Sequence, residues 1–145
     1  ESKPYSHADT IAVHDLIASQ LDFFREQAQP RQVSLIADLQ GQQWITANQS
    51  LAEVAVSNLL LNALQHNVPG GQVLVSLQAG VLRVANTGQP IALPQALLFT
   101  RFAKMHGTTG GNGLGLSIVR KIADISGWRI TYAFAQGMHV FEIQF

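Results

Sequence analysis

Gly110-Gly111-Asn112-Gly113-Leu114-Gly115-Leu116 runs without a break into Ser117-Ile118-Val119-Arg120-Lys121-Ile122-Ala123-Asp124-Ile125-Ser126. Four glycines within residues 110–115 therefore stand directly before a helical pattern. Glycine reaches positive φ and lets backbone approach a ligand closely, and the free N–H groups of a helix start favour an anion. A phosphate chain is the natural occupant. Plain tight turns use the same residues, so the loop acquires meaning only from the segments around it.

Downstream, the helix from Leu114 turns Ile118, Ile122 and Ile125 inward and stops at Gly127, a natural C′ residue; strands at 128–134 and 138–145 close the chain. Upstream, 92–102 can form a short helix around Leu97, Leu98, Phe99 and Phe102, whereas 103–110 lacks periodicity and reads as a mobile segment. Strands at 81–85 and around Val73, Val75 and Leu77 are joined through Gly80 and preceded by the turn Pro69-Gly70-Gly71. A helix at 51–66 is capped by Asn48 or Ser50, with Glu53 near its positive end. Before it, Val33, Leu35, Ala37 and Leu39 alternate as a strand, and 44–47 is expected to pair back on it across Gly41 as a hairpin. Ile11, Val13, Leu16, Ile17, Leu21 and Phe24 mark an amphipathic helix at 11–27, ended before Pro30. Residues 1–10 read as a linker or tail and 11–145 as one domain. Strand hairpins with about three separate helices predict an α+β two-layer sandwich, a mixed sheet covered on one face by helices and solvated on the other.

The 145 residues, 47% of them apolar, suffice for one core. Nine basic residues balance nine acidic ones without a basic run, which argues against a nucleic-acid surface. No apolar stretch is long enough to span a bilayer, so direct membrane contact by this segment is not expected; Asn58 and Asn62 interrupt the richest one. The absence of cysteine removes disulfides and thiolate metal sites and fits a reducing compartment. A chain beginning at Glu1 without a leader pattern reads as part of something longer.

Three further segments carry chemistry. Asn58, Asn62, Gln65 and His66 form one polar stripe on the second helix, while Val54, Leu61 and Leu64 face elsewhere. Such asparagines can bond neighbouring backbone, or a carboxamide oxygen can contribute to a hard cation such as magnesium that bridges phosphates. Asn86-Thr87-Gly88 follows a strand directly, either as a self-bonded turn or as a side chain delivered to a site. Phe99-Thr100-Arg101-Phe102 reads as two core anchors beside the cations Arg101 and Lys104.

In this order the segments resemble the catalytic, ATP-binding domain of sensor histidine kinases, within the superfamily that includes gyrase, mismatch-repair and heat-shock chaperone ATPases. Asn58-Leu59-Leu60-Leu61-Asn62-Ala63 resembles the N box, Asn86-Thr87-Gly88 the first glycine box, Phe99-Thr100-Arg101-Phe102 the F box, and Gly111-Asn112-Gly113-Leu114-Gly115-Leu116 the second glycine box. The resemblance runs from about Ile11 to Phe145 and implies the Bergerat-type fold with ATP and Mg2+ as cofactors. It implies that Asn62 holds the metal, and that Asn58 and Lys104 serve the transfer step. Asn86 would meet the adenine amino group. Gly111, Gly113 and Gly115 would shape the phosphate loop with Leu114 and Leu116 as its anchors. Gln65, His66, Gly88, Ile91 and Phe102 would complete the nucleotide site, and 103–110 would be a lid.

Departures from the family pattern modify these expectations. Asn86 stands in place of an aspartate; a neutral acceptor is weaker by about 1 kcal/mol, roughly fivefold in affinity. Its amide can also be turned to present a donor, which leaves adenine preference open. Pro90 replaces a glycine and stiffens the turn, and Gln65 replaces a common basic residue, leaving Lys104 and Arg101 as cations for the phosphates. Where the superfamily's ATPases carry a glutamate base, this chain has Asn58, which cannot accept a proton, so transfer is favoured over hydrolysis. The resemblance implies a histidine acceptor on a separate dimerisation and phosphotransfer domain, a downstream response regulator, and a cytoplasmic place within a membrane-anchored sensor. His14-Asp15 lies too close to the N box to be that acceptor and reads as a surface pair. A degenerate nucleotide-binding or protein-interaction module, and an anti-sigma-type serine kinase, are the alternative functions on the same fold.

Overall fold

The computed structural model describes residues 8–94, 98–99 and 115–145. Within them the order is β1 (Asp9–Ala12), α1 (Val13–Ala28), a 3-10 turn (Gln29–Arg31), β2 (Ser34–Leu39), β3 (Trp44–Ala47), α2 (Gln49–Gln65), β4 (Gln72–Gln78), β5 (Val81–Asn86), α3 (Gly115–Ser126), β6 (Arg129–Ala135) and β7 (Met138–Gln144). A five-stranded mixed sheet in the order β2-β4-β5-β7-β6 is parallel only at β2–β4, and a two-stranded sheet joins β1 to β3. This is the α+β sandwich that the alternating strands and separate helices predict.

Alternation within each strand decides which face is covered. Val73, Val75, Leu77, Leu82, Val84, Phe141, Ile143 and Tyr132 point inward and pack with the buried faces of α1, α2 and α3 into one core. Arg83 and Glu142, paired across β5 and β7, point outward and form an ion pair at 3.5 Å on the opposite face. Two tight hairpins fix the β4–β5 and β6–β7 registers. Ala79-Gly80 between β4 and β5, and Gln136-Gly137 between β6 and β7, have positive φ at both residues, matching the twist of the flanking strands.

Three local expectations are corrected. The 33–39 strand and the 44–47 strand do not form a hairpin: β2 pairs in parallel with β4, and β3 pairs antiparallel with β1, Ile11 opposite Ile45. Period-two alternation assigns a face but not a partner, and the nearest strand in sequence lost to two distant ones. Asp9 to Ala12 therefore form an edge of sheet, with Ile11 buried in the strand rather than in α1. In α3 the buried residues are Leu116, Val119, Ile122 and Ala123, which leaves Ile118 and Ile125, 39% and 47% exposed, on the rim of that face. The helix does stop at Gly127, whose φ of 77° allows the Trp128 N–H to reach the Ala123 carbonyl at 2.9 Å.

Candidate functional site

Asn48 caps α2 by accepting from the Leu51 N–H at 3.0 Å, and Ala52, Ala55, Val56, Leu59, Leu60, Ala63 and Leu64 pin the helix to the core. Asn58, Asn62, Gln65 and His66 lie half-buried along the flank of that face. Val54 and Leu61, predicted to face elsewhere, instead border the stripe: Val54 stands one helical turn before Asn58 and Leu61 one turn before Gln65, both partly in solvent, whereas Leu64 is buried. Asn58 Nδ2 donates to the Val54 carbonyl at 2.9 Å, the local bond its residue type favours. Its carbonyl oxygen is thereby left for the start of α3, where a Cβ added to Gly115 would lie 3.2 Å from Asn58 Oδ1. The packing of α2 on α3 thus brings the N-box stripe against the last glycine of the glycine-rich loop.

Asn86 ends β5 on the inner face, in register with Val73 on one side and His139 on the other, and is 1% exposed. Its Nδ2 donates to the Thr87 carbonyl at 2.8 Å, while Oδ1 is buried without a partner. Turning the amide would set its oxygen against the Thr87 carbonyl oxygen, so the side chain presents an acceptor. A buried acceptor left unpaired costs about 1–3 kcal/mol, which a ligand's amino group would recover. Nearby, His66 Nδ1 is likewise buried and unpartnered. Burial first, and then the neighbouring His139, lower the His66 pKa from its ordinary 6.5, so the ring is neutral at neutral pH.

The turn after Asn86 is held by Thr87 together with Asn67 and Gln72, which the sequence did not single out. Thr87 Oγ1 accepts from the Gln72 N–H at 2.8 Å and donates to Asn67 Oδ1 at 2.6 Å, and Asn67 Nδ2 donates to the Gln72 carbonyl at 2.9 Å and the Ala63 carbonyl at 3.1 Å. This ties the end of α2 to β4 and β5. Gly88 is wedged so closely that a Cβ would meet the His66 carbonyl at 2.7 Å and the His139 ring at 3.2 Å. His139 Nε2 faces the Gln89 carbonyl at 2.7 Å, and the Tyr132 hydroxyl lies 2.8 Å from His139 Nδ1 and 3.0 Å from the Leu93 nitrogen. The one available signal was polarity out of place, since His139 interrupts the inward, apolar positions of β7.

A family model described as histidine kinase-, DNA gyrase B-, and HSP90-like ATPase matches residues 47–145. The chain belongs to this ATPase family. Heme sensor protein HssS of Staphylococcus aureus strain Newman is 34% identical over 123 residues, covering 81% of this chain and 26% of the relative. The chain thus spans about a quarter of the length of that curated relative. The mycobacterial sensor histidine kinase MprB superposes with a TM-score of 0.78 at 25% identity, covering 93% of this chain and 95% of that one. The catalytic domain of histidine kinase ThkA, in a nucleotide-free form, gives a TM-score of 0.77 at 25% identity over 94% and 95% of the two chains.

In this ATPase-family fold the sequence-nominated residues divide into three groups. Asn58, Asn62 and Gln65 lie on α2, His66 at its C-cap, Asn86 at the end of β5, Gly88 in the turn that follows it, and Gly115 at the start of α3. Ile91 lies on the loop after Gly88, half exposed, and Leu116 is buried in the core. Phe99 packs edge-on against Phe141 at 6.3 Å, while Phe102, Lys104, Gly111, Gly113, Leu114 and the segment 103–110 lie outside the described residues. His14 sits on α1 with Nδ1 3.4 Å from the Asp15 carboxylate. The unpaired Asn86 acceptor has the chemistry to meet an adenine amino group, and a carboxamide oxygen such as that of Asn62 is the kind of hard donor that magnesium accepts. No group of three or more His, Cys, Asp or Glu suited to a metal occurs among the described residues. No described helix is long and apolar enough to cross a membrane.

Proposed function

We propose that this chain is the Mg-ATP-binding catalytic domain of a sensor histidine kinase, presenting the γ-phosphate to a histidine on a separate dimerisation and phosphotransfer domain. The observation that carries this reading is the buried, unpaired Asn86 Oδ1, left as an acceptor by the Nδ2 bond to Thr87 and chemically suited to the amino group of an amino-purine. Asn62 would supply an oxygen to the magnesium, with Asn58 one turn earlier ordering the phosphates. The magnesium would neutralise phosphate charge when bound. Gly115 leaves Asn58 room at the phosphate end, and Lys104 is the proposed further cation for the phosphates. Because a carboxamide takes no proton, Asn58 does not activate water, and catalysis rests on holding the phosphate in line for another nucleophile. A response regulator is the proposed downstream partner, and the cytoplasmic side of a membrane-anchored sensor the proposed location. The family membership, whose description includes histidine kinases, and the likeness to HssS, named as a sensor protein, support the sensor-kinase setting from which both proposals are drawn.

The test is calorimetric titration with ATP, ADP and GTP, with and without magnesium, on the chain and on Asn62→Ala. The expected result is magnesium-dependent binding of adenine nucleotides by the chain and its loss in Asn62→Ala with an unchanged melting temperature. Equal binding by the variant would refute the N-box role. Binding without transfer to any supplied acceptor domain would favour the degenerate-module reading, and an acid-stable phosphoserine product the serine-kinase reading.

A further inference from the structure

The Gln89 carbonyl can only accept, so His139 Nε2 must carry the ring proton in the neutral imidazole. Nδ1 is then an acceptor and receives the Tyr132 hydroxyl proton, while the Tyr132 oxygen accepts from the Leu93 N–H. The result is one directed chain, Leu93 N–H to Tyr132 O–H to His139 to Gln89 C=O, in which every donor meets an acceptor. Both side chains are buried, at 6% and 4% exposure, and their rings stack with centroids 6.0 Å apart. Neither residue belongs to the N box or the glycine boxes. What they grip is the 87–93 loop, at Gln89 on its near side and Leu93 on its far side, with Gly88 pressed on the His139 ring between Asn86 and those grips.

Resting on the nucleotide reading of Asn86, we propose that Tyr132 and His139 are positioning residues for the purine base, fixing the 87–93 loop so that Asn86 Oδ1 and Ile91 keep the geometry a bound base requires. His139 also pairs directly with Asn86 across β5 and β7, so the element that holds the loop and the element that carries the acceptor are one ladder. Neither side chain need touch the nucleotide for this role. A loop gripped at two points loses little freedom when a base settles against it, and releasing one grip raises that cost.

Tyr132→Phe removes only the hydroxyl and keeps the ring packed on Phe141, 5.0 Å away between centroids. The expected loss of ATP affinity is about threefold to tenfold, the equivalent of one hydrogen bond. A double-mutant cycle with Asn86→Ala separates positioning from general loosening. If the loop acts through the base contact, Tyr132→Phe should cost under about twofold in the Asn86→Ala background, because coupled groups are not additive. His139→Gln, which retains a donor for the Gln89 carbonyl, is the second variant should Tyr132→Phe fold poorly. It is expected to fall between the unmodified chain and Tyr132→Phe. An equal loss in both backgrounds, or no loss in either, overturns the proposal. If the unmodified chain fails to bind ATP at all, the nucleotide reading itself falls, a result distinct from a Tyr132→Phe effect that is absent while ATP still binds.

Discussion

Asn86→Asp restores the residue that the kinase domains usually carry, and the surroundings of Asn86 predict opposite effects on stability and on binding. The native Nδ2 donates to the Thr87 carbonyl at 2.8 Å, and the residue is 1% exposed. An ionised carboxylate has no proton to give, so it faces that carbonyl oxygen as one acceptor against another while losing its own solvation. The lost bond and the buried charge together should destabilise the nucleotide-free chain by about 2–4 kcal/mol at about pH 8. For a domain of this size that lowers the melting temperature by about 6–15 °C. The carboxyl pKa must then be raised by the fold. Between the unfolded value of about 3.9 and the raised folded value, the folded state holds the extra proton, so stability falls as pH rises through that window. At about pH 4 the protonated carboxyl donates to Thr87 as the amide does, and the difference from the native chain should nearly vanish. The second oxygen, ionised, makes a charge-assisted bond to the adenine amino group, tightening ATP about fivefold near neutral pH. Melting curves across pH, with and without ATP, joined to calorimetry, test both halves. A variant whose melting temperature tracks the native chain at every pH and whose ATP affinity is unchanged would refute the placement of Asn86.

Two other changes probe the same corner. Gly88→Ala would set a Cβ 2.7 Å from the His66 carbonyl, backbone that cannot swing aside, and should cost about 1–3 kcal/mol in thermal or urea unfolding; an unchanged midpoint would mean that the wedge is not close. His66, its pKa lowered from 6.5 by burial and by His139, stays neutral in the folded chain where the unfolded chain takes up a proton, so stability should fall as pH drops from about 7 towards about 5. His66→Phe should flatten that slope in melting temperature, and an identical slope would show that His66 titrates normally.

What the sequence determined is what is written locally. Alternation at Val73, Val75 and Leu77 assigned a buried face, Asn48 its cap, Gly127 its helix stop, and the ordered asparagine and glycine boxes the family. The tertiary structure decided what depends on distant partners. Period-two alternation in 44–47 suits any neighbouring strand, and only assembly paired it with β1 and gave β2 to β4. The inward turn expected of Ile118 and Ile125 failed because the buried stripe of α3 is set by where α2 and the sheet lie, not by the isoleucines themselves. Asn86 could have shown either end of its amide until the Thr87 carbonyl took the donor, and His139 and Tyr132 formed one hydrogen-bond chain only when β6 and β7 carried them to the 87–93 loop. Hydrogen-bond direction is a property of the pair, and a sequence names only one member at a time.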